Sequence, residues 1–187
     1  RSTTVSTRPG APSDLFLGVT FGLLISRDSG ASFRWLCENA VGYAGVFDPK
    51  YRVASDGTIY ATNFDGLRVS RDGGCSFEFS TMAAAPGSPG AIFEKWVDAI
   101  DVAPNGEVWI GTADGGKPND VYRSQDMAHT FSPMGLASSQ VWYKSLVAGR
   151  DGARLYASGY QVTTADPNCT DPDPQICPPL PPRVRLY

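Results

Sequence analysis

The residues best placed to do chemistry in this chain are carboxylates. Asp48, Asp98 and Asp101 fall in the segments Phe47 to Ser55 and Trp96 to Ala103, the predicted innermost strands of two repeats, with Lys50, Arg52 and Lys144 as their possible partners. Two carboxylates on one face, one protonated and one ionised, cleave glycosidic bonds by acid–base or nucleophilic chemistry. The same residues paired with Lys50, Arg52 or Lys144 form instead a solvated wall of matched charges. Gly111 to Lys117 fits the G-x-x-x-x-G-K part of a phosphate-binding loop. Pro118 replaces the hydroxyl residue and a strand, not a helix, is expected next, so the cradle of helix N–H groups is missing. His129 is the only histidine, and no Ser-His-Asp arrangement surrounds it. Asp166, Asp171 and Asp173 offer oxygen ligands suited to Ca2+, but their spacing is not that of an EF-hand and no Gly supplies its turn. They read as a solvated Pro/Asp loop, and neither a cofactor nor a resident metal is expected. Asn168-Cys169-Thr170 is a formal glycosylation sequon.

Four cysteines are present, Cys37, Cys75, Cys169 and Cys177, and none forms a C-x-x-C pair. That spacing does not suit zinc. An even number of cysteines fits disulfides and an exported protein, and the expected bridges are Cys169–Cys177 and Cys37–Cys75. Arg1 to Thr7 lack the apolar core of an export signal, so a signal has been removed or the chain is cut from a longer one. No apolar run reaches about 18 residues, so no membrane span is expected. The net charge of −3 leaves no basic footprint for nucleic acid.

The elements that must position these residues come from a repeat. Ser26, Asp28, Gly30, Ser32 and Phe33 recur as Ser70, Asp72, Gly74, Ser76 and Phe77, and again as Ser124, Asp126, Ala128, Thr130 and Phe131. The frame is S-x-D-x-G-x-[ST]-F, with Ala128 in place of Gly in the third copy. The aspartates recur after 44 and then 54 residues, within or just above the length of one propeller blade. In such a turn Asp accepts backbone N–H groups, Gly supplies a positive φ, the hydroxyls tie the two strands together, and Phe packs the hairpin. Ala128 should make the third turn the most strained if its backbone is kept. Hairpin signals also repeat upstream, at Asp56-Gly57, Asn105-Gly106 and Asp151-Gly152. The expected fold is all-β, a β-propeller of four-stranded antiparallel blades. About three and a half blades are expected, near residues 3–38, 46–81, 95–134 and 141–187, the last incomplete and carrying an insertion at 163–182.

The frame resembles the Asp-box, or BNR repeat, although that motif prefers Trp where this chain has Phe33, Phe77 and Phe131. Asp-box propellers include sialidases, xyloglucan-cleaving endoglucanases, sortilin-type receptors and photosystem II assembly factors. The resemblance implies a fold and not an activity, since these families share the turn and not the chemistry. No catalytic residue carries over: the arginine motif of sialidases is absent, and Arg34 lies beside a turn on the wrong face.

The boxes are therefore read as structural, which directs attention to the opposite face. There the candidate ligand residues are Asn63, Asp65, Asp114, Lys117, Asn119 and Asp120, with the loops Glu38 to Gly45 and Ser80 to Lys95. Tyr43, Trp96, Trp142 and Tyr143 offer a surface for sugar or peptide, while Phe47, Trp96 and Trp142 share one repeat position and are expected to pack between blades. A ring normally has about four to eight blades, so the missing ones belong to the rest of the chain or to a second chain. The functional expectation is an exported, non-catalytic module binding a protein or a glycan; the alternative is a glycoside hydrolase, sialidase- or xyloglucanase-like, or a fragment of one.

Overall fold

The computed structural model describes residues 2–44, 47–115, 117–152, 154–161 and 183–186. The cysteines Cys169 and Cys177, the aspartates Asp166, Asp171 and Asp173, and Asn168 lie outside the described residues.

Four antiparallel meanders follow one another along the chain. The first has β1 (Ser2–Arg8), β2 (Ala11–Val19), β3 (Gly22–Ser26) and β4 (Arg34–Cys37), followed by the one-turn helix α1 (Glu38–Val41). The second has β5 (Tyr51–Val53), β6 (Ile59–Asn63), β7 (Gly66–Ser70) and β8 (Glu78–Phe79). The third has β9 (Val97–Val102), β10 (Val108–Thr112), β11 (Val121–Ser124) and β12 (Ser132–Pro133). The fourth has β13 (Val141–Ala148), β14 (Leu155–Gln161) and β15 (Arg183–Leu186). Each sheet is a propeller blade, and the first strands of successive blades lie beside one another along the axis.

Period-two alternation makes every blade two-sided. Phe16, Leu23 and Ile25 of the first blade bury against Tyr51, Val53, Ile59 and Ala61 of the second. Tyr60, Leu67 and Val69, from the reverse side of the second blade, bury against Ile100, Val108, Ile110 and Tyr122 of the third. Ala99 and Val121 then meet Val141, Tyr143, Leu146 and Ala157 of the fourth. The core is thus a series of apolar layers between neighbouring sheets, each layer stabilised by about 25 cal/mol per Å² of apolar surface removed from water.

The three repeated turns have one hydrogen-bond pattern. In the second, the Ser70 hydroxyl donates to Asp72 Oδ1 at 2.8 Å and accepts from the Gly74 amide at 2.8 Å. Asp72 Oδ1 also accepts the Cys75 and Ser76 amides at 2.9 and 3.0 Å, while Oδ2 accepts the Ser76 hydroxyl at 2.6 Å. Ser26, Asp28, Gly30 and Ser32 repeat the arrangement, as do Ser124, Asp126, Ala128 and Thr130. These donors hold the carboxylates down. The Ser32 hydroxyl and amide, with Ser26, bring Asp28 to about 2, and Ser76 and Ser70 hold Asp72 well below the ordinary range. Burial pushes Asp126 upward, but Thr130, Ser124 and His129 outweigh it and leave Asp126 at about 2. Ala128 keeps the left-handed backbone of its glycine counterparts, with φ at 65° against 90° for Gly30 and 93° for Gly74. The Ala128 turn has tightened toward the one left-handed well an L-residue tolerates.

Two expectations need correction. Cys37 and Cys75 are free thiols. Arg34, at the start of β4, donates to the Gly73 carbonyl of the next turn, so β4 meets that turn through the Arg34 side chain while both thiols stay unbonded. The second inner strand is also shorter than the expected Phe47 to Ser55. Pro49 cannot donate to a ladder, and the Lys50 amide goes to the Thr62 side chain at 2.9 Å. Asp48 consequently precedes β5 instead of lying on it.

Candidate functional site

In a meander blade the repeated turns and the first hairpin turns share one face, and the β6–β7 and β10–β11 connections share the other with the loops between blades. This upper face collects all six candidate ligand residues, but three of them work internally. Asn63 is buried; its amide donates to the Gly42 carbonyl at 2.9 Å and its oxygen accepts the Phe64 amide at 2.7 Å. Asn119 is buried and exchanges two hydrogen bonds with the Asp114 backbone, at 2.7 and 3.0 Å. Asp120 is buried and accepts the Val121 and Leu136 amides at 2.7 and 2.9 Å. A side-chain amide or carboxylate replaces missing ladder bonds where the chain turns, so these residues fix loop shape.

Asp65 and Lys117 are exposed and Asp114 is half-buried. They do not converge. Lys117 lines a groove of about 570 Å³ between the second and third blades, with Met82, Phe93, Lys95 and Tyr122. Asp65 lines a separate recess of about 370 Å³ with Tyr43 and Phe64. Asp114 abuts the third feature, a row of aromatic rings.

That row crosses three blades. Tyr43 meets Phe47 edge-on at 6.2 Å between centroids, Phe47 meets Phe64 at 4.3 Å, Phe64 meets Trp96 at 5.0 Å, and Trp96 meets Trp142 at 5.8 Å. Three of these separations lie in the range in which aromatic pairs attract beyond their buried area, and the Phe47–Phe64 pair is slightly closer. Phe47, Trp96 and Trp142, at one repeat position, do pack from blade to blade. Phe64, at the β6–β7 turn, bridges the first two of them and is 45% exposed. It is the member that reading the sequence missed; an aromatic residue at the tip of a tight hairpin, between Asn63 and Asp65, was the available signal. Asp114 Oδ1 accepts the Trp96 amide at 3.1 Å, while Asp114 Oδ2 and Trp96 Nε1 have no partner among the described residues. The other aromatic candidate, Tyr143, is buried and donates its hydroxyl to the Leu136 carbonyl at 2.8 Å.

Below the row, the inner strands carry matched charges. Lys50 reaches Asp98 Oδ1 at 3.3 Å and the Lys144 carbonyl at 2.7 Å, and Lys144 Nζ caps Asp98 Oδ2. Arg52 Nε donates to Asp101 Oδ1 at 2.9 Å, and the Ala148 amide donates to Oδ2 at 2.8 Å. Desolvation lowers the Lys50 pKa, against the attraction of Asp98. Both carboxylates are thus ion-paired with cations on neighbouring blades. Among the described residues, no group of three or more His, Cys, Asp or Glu is arranged to hold a metal ion.

No family model matches the chain, and no curated protein matches it. Solved structures do. A GH74 enzyme from Niastella koreensis superposes with a TM-score of 0.65 at 17% identity, over 85% of this chain and 26% of that one. An ancestral GH74 enzyme gives 0.56 at 14% identity, over 100% and 27%. The GH74 xyloglucanase from Xanthomonas campestris gives 0.55 at 17% identity, over 85% and 26%. The chain thus spans about a quarter of the length of these neighbours. At such identities the likeness is one of fold, and with the four successive blades it makes this chain a stretch of β-propeller.

Proposed function

We propose that this stretch of propeller, built on Asp-box turns, binds an oligosaccharide along the aromatic row of its upper face and does not cleave it with its own inner-strand carboxylates. The observation that carries the reading is the row itself, with the exposed ring of Phe64 beside Trp96 and the half-exposed Trp142 at its end. Flat rings take up the C–H faces of pyranose units, and a few polar groups then fix orientation. Asp98 and Asp101 argue against cleavage. The two-carboxylate mechanism needs both carboxyls facing the scissile bond, and the oxygens of these two are engaged by Lys50, Lys144, Arg52 and the Ala148 amide.

Likeness to GH74 propellers favours a second reading, in which the chain is one part of a glycoside hydrolase whose catalytic carboxylates lie elsewhere. Titration with xyloglucan and β-glucan oligosaccharides, followed by tryptophan fluorescence and calorimetry, tests the first. Phe64→Ala and Trp142→Ala are each expected to weaken binding about tenfold, the equivalent of one lost ring contact. No binding to any glycan, or binding indifferent to both substitutions, overturns it; release of reducing sugar by the purified chain supports the second. Export is proposed on the cysteine count alone, and thiol titration of the denatured, unreduced chain should then find Cys169 and Cys177 bridged.

A further inference from the structure

The recess of about 370 Å³ at the Phe64 end of the aromatic row has a distinct lining. Tyr43 and Phe64 supply rings, Asn39 and Asp65 supply polar groups, and Asp65 is the one charged residue that lines it. The remaining polar groups there are already engaged. The Asn63 amide donates to the Gly42 carbonyl at 2.9 Å, and the Asn63 oxygen accepts the Phe64 amide at 2.7 Å. The Gly42 carbonyl also accepts Arg68 Nη2 at 3.2 Å. Asn39 and Asp65 are both exposed. Neither side chain has a hydrogen-bond or ion-pair partner among the described residues.

The surroundings set the sign of the recess. Burial raises the pKa of the Tyr43 hydroxyl above its ordinary value, and the charges of Glu38 and Asp48 raise it further. Two more carboxylates thus act on the Tyr43 wall besides that of Asp65. The cation beside Gly42 is Arg68, and it is occupied: its guanidinium lies 3.4 Å from the centroid of the Phe79 ring while donating to the Gly42 carbonyl. Three carboxylates against one guanidinium leave this end of the upper face negative, in a chain whose formal net charge is −3. A ring face and a free carboxylate side by side favour one kind of guest. An ammonium group is attracted by both, a neutral hydroxyl uses only the carboxylate, and an anion is repelled.

We propose, resting on the oligosaccharide reading above, that this recess is the subsite for a protonated amino group, so that the glycan on the aromatic row carries an amino sugar at its Phe64 end. Phe64 belongs to both features: its ring lines the recess and also meets Phe47 and Trp96 in the row. A saccharide laid along the row from Trp142 through Trp96 therefore leads into the recess. There the Asp65 carboxylate accepts the ammonium, the exposed Phe64 ring offers its face, and the Asn39 amide is free for a neighbouring hydroxyl.

Calorimetric titration with β-1,4-linked glucosamine oligomers, their N-acetylated counterparts and glucose oligomers of equal length tests this, at a pH where the free amino groups carry their proton. At low salt the glucosamine oligomers are expected to bind about fivefold more tightly than either neutral set, the combined effect of one exposed ion pair and one exposed cation–π contact. The preference should shrink in about 0.5 M salt. Asp65→Asn should abolish it while leaving the affinity for the neutral oligomers within about twofold, and Asp65→Lys should reverse it. The Asp65 side chain is exposed, so both variants should keep the near-ultraviolet dichroism of the folded chain. Equal affinity for charged and neutral oligomers, or a preference that survives Asp65→Asn, overturns the recess assignment and leaves the aromatic row standing. Failure of every oligomer to bind overturns the row, and the recess with it. Tighter binding of a lysine-bearing peptide than of any oligomer overturns the amino sugar as the guest.

Discussion

Exchanging glycine and alanine at the central position of the three repeated turns separates backbone strain from packing. At Ala128, φ is 65° and the methyl group is fully buried in the layer that contains Val69, Tyr122 and Phe131. Replacing Ala128 by Gly relieves about 1 kcal/mol of left-handed strain. It also removes a buried methyl, about 0.8 kcal/mol, and adds about 0.5 kcal/mol of unfolded-chain entropy. The net is a loss of about 0.3 kcal/mol, close to neutral. Gly30→Ala is different. The new Cβ meets Leu15 Cδ1 only at 3.4 Å, so there is room, but φ at 90° lies outside the alanine well. The strain of about 1.5 kcal/mol, less the entropy gain, leaves a loss of about 1 kcal/mol. Gly74→Ala adds a steric term, since its Cβ would stand 2.6 Å from Leu36 Cδ1, 3.1 Å from Arg34 Nη2 and 3.3 Å from Ile25 Cδ1. Shifting those groups costs about a further 1–2 kcal/mol, for a total near 2–3. Urea unfolding followed by fluorescence, with the denaturant slope unchanged between variants, gives the three differences; about 1 kcal/mol corresponds to roughly 2–4 °C in Tm for a domain of this size. Equal losses for Gly30→Ala and Gly74→Ala would show that the contacts around Gly74 carry no cost. A stabilisation above about 1 kcal/mol for Ala128→Gly would show that its methyl contributes nothing to the core.

The remaining predictions concern charge. Asp98→Asn should destabilise the chain by about 2 kcal/mol, because it leaves the Lys50 and Lys144 ammonium groups facing each other, and adding Lys144→Met should recover at least half of that loss; equal stability of the single and double variants refutes the coupling. The carboxylate of Asp28 lies below its ordinary value of 3.8 in the folded chain, so between the two values the unfolded chain binds the extra proton. Its contribution is complete above 3.8, is lost as pH falls through about 2, and should vanish from the acid limb of a Tm–pH curve in Asp28→Asn; an unchanged limb would sink the assignment.

The blade was legible because its information is local. Each turn is specified by hydroxyl, carboxylate and glycine within a few residues, and Asp-Gly or Asn-Gly marks the hairpins. Lys50, Arg52 and Lys144 could be matched with Asp98 and Asp101 because the repeat placed them on adjoining inner strands. What the sequence hid depends on contacts between distant segments. Asn63, Asn119 and Asp120 look like surface polar residues, yet carbonyls and amides such as Gly42 and Leu136 consume their hydrogen-bonding capacity. That Cys37 and Cys75 stay unbonded is not written in the number or spacing of the cysteines. Phe64 acquired its place from the rings of Phe47 and Trp96, which belong to two different inter-blade segments.

The ties along the rim share a direction. Arg34 donates to the Gly73 carbonyl, Arg71 to Met127 and Ser80 to Ala128, so in each case the donor comes earlier in the chain than the acceptor. During synthesis from the N-terminus, the second and third blades each emerge beside a neighbour whose anchoring side chains are already in place. A new turn is captured as it forms, without waiting for later residues, and its unpaired carbonyls are exposed only briefly. The order of translation is thereby matched to the order of assembly, which favours stepwise growth, blade upon blade, over a collapse of the whole chain at once.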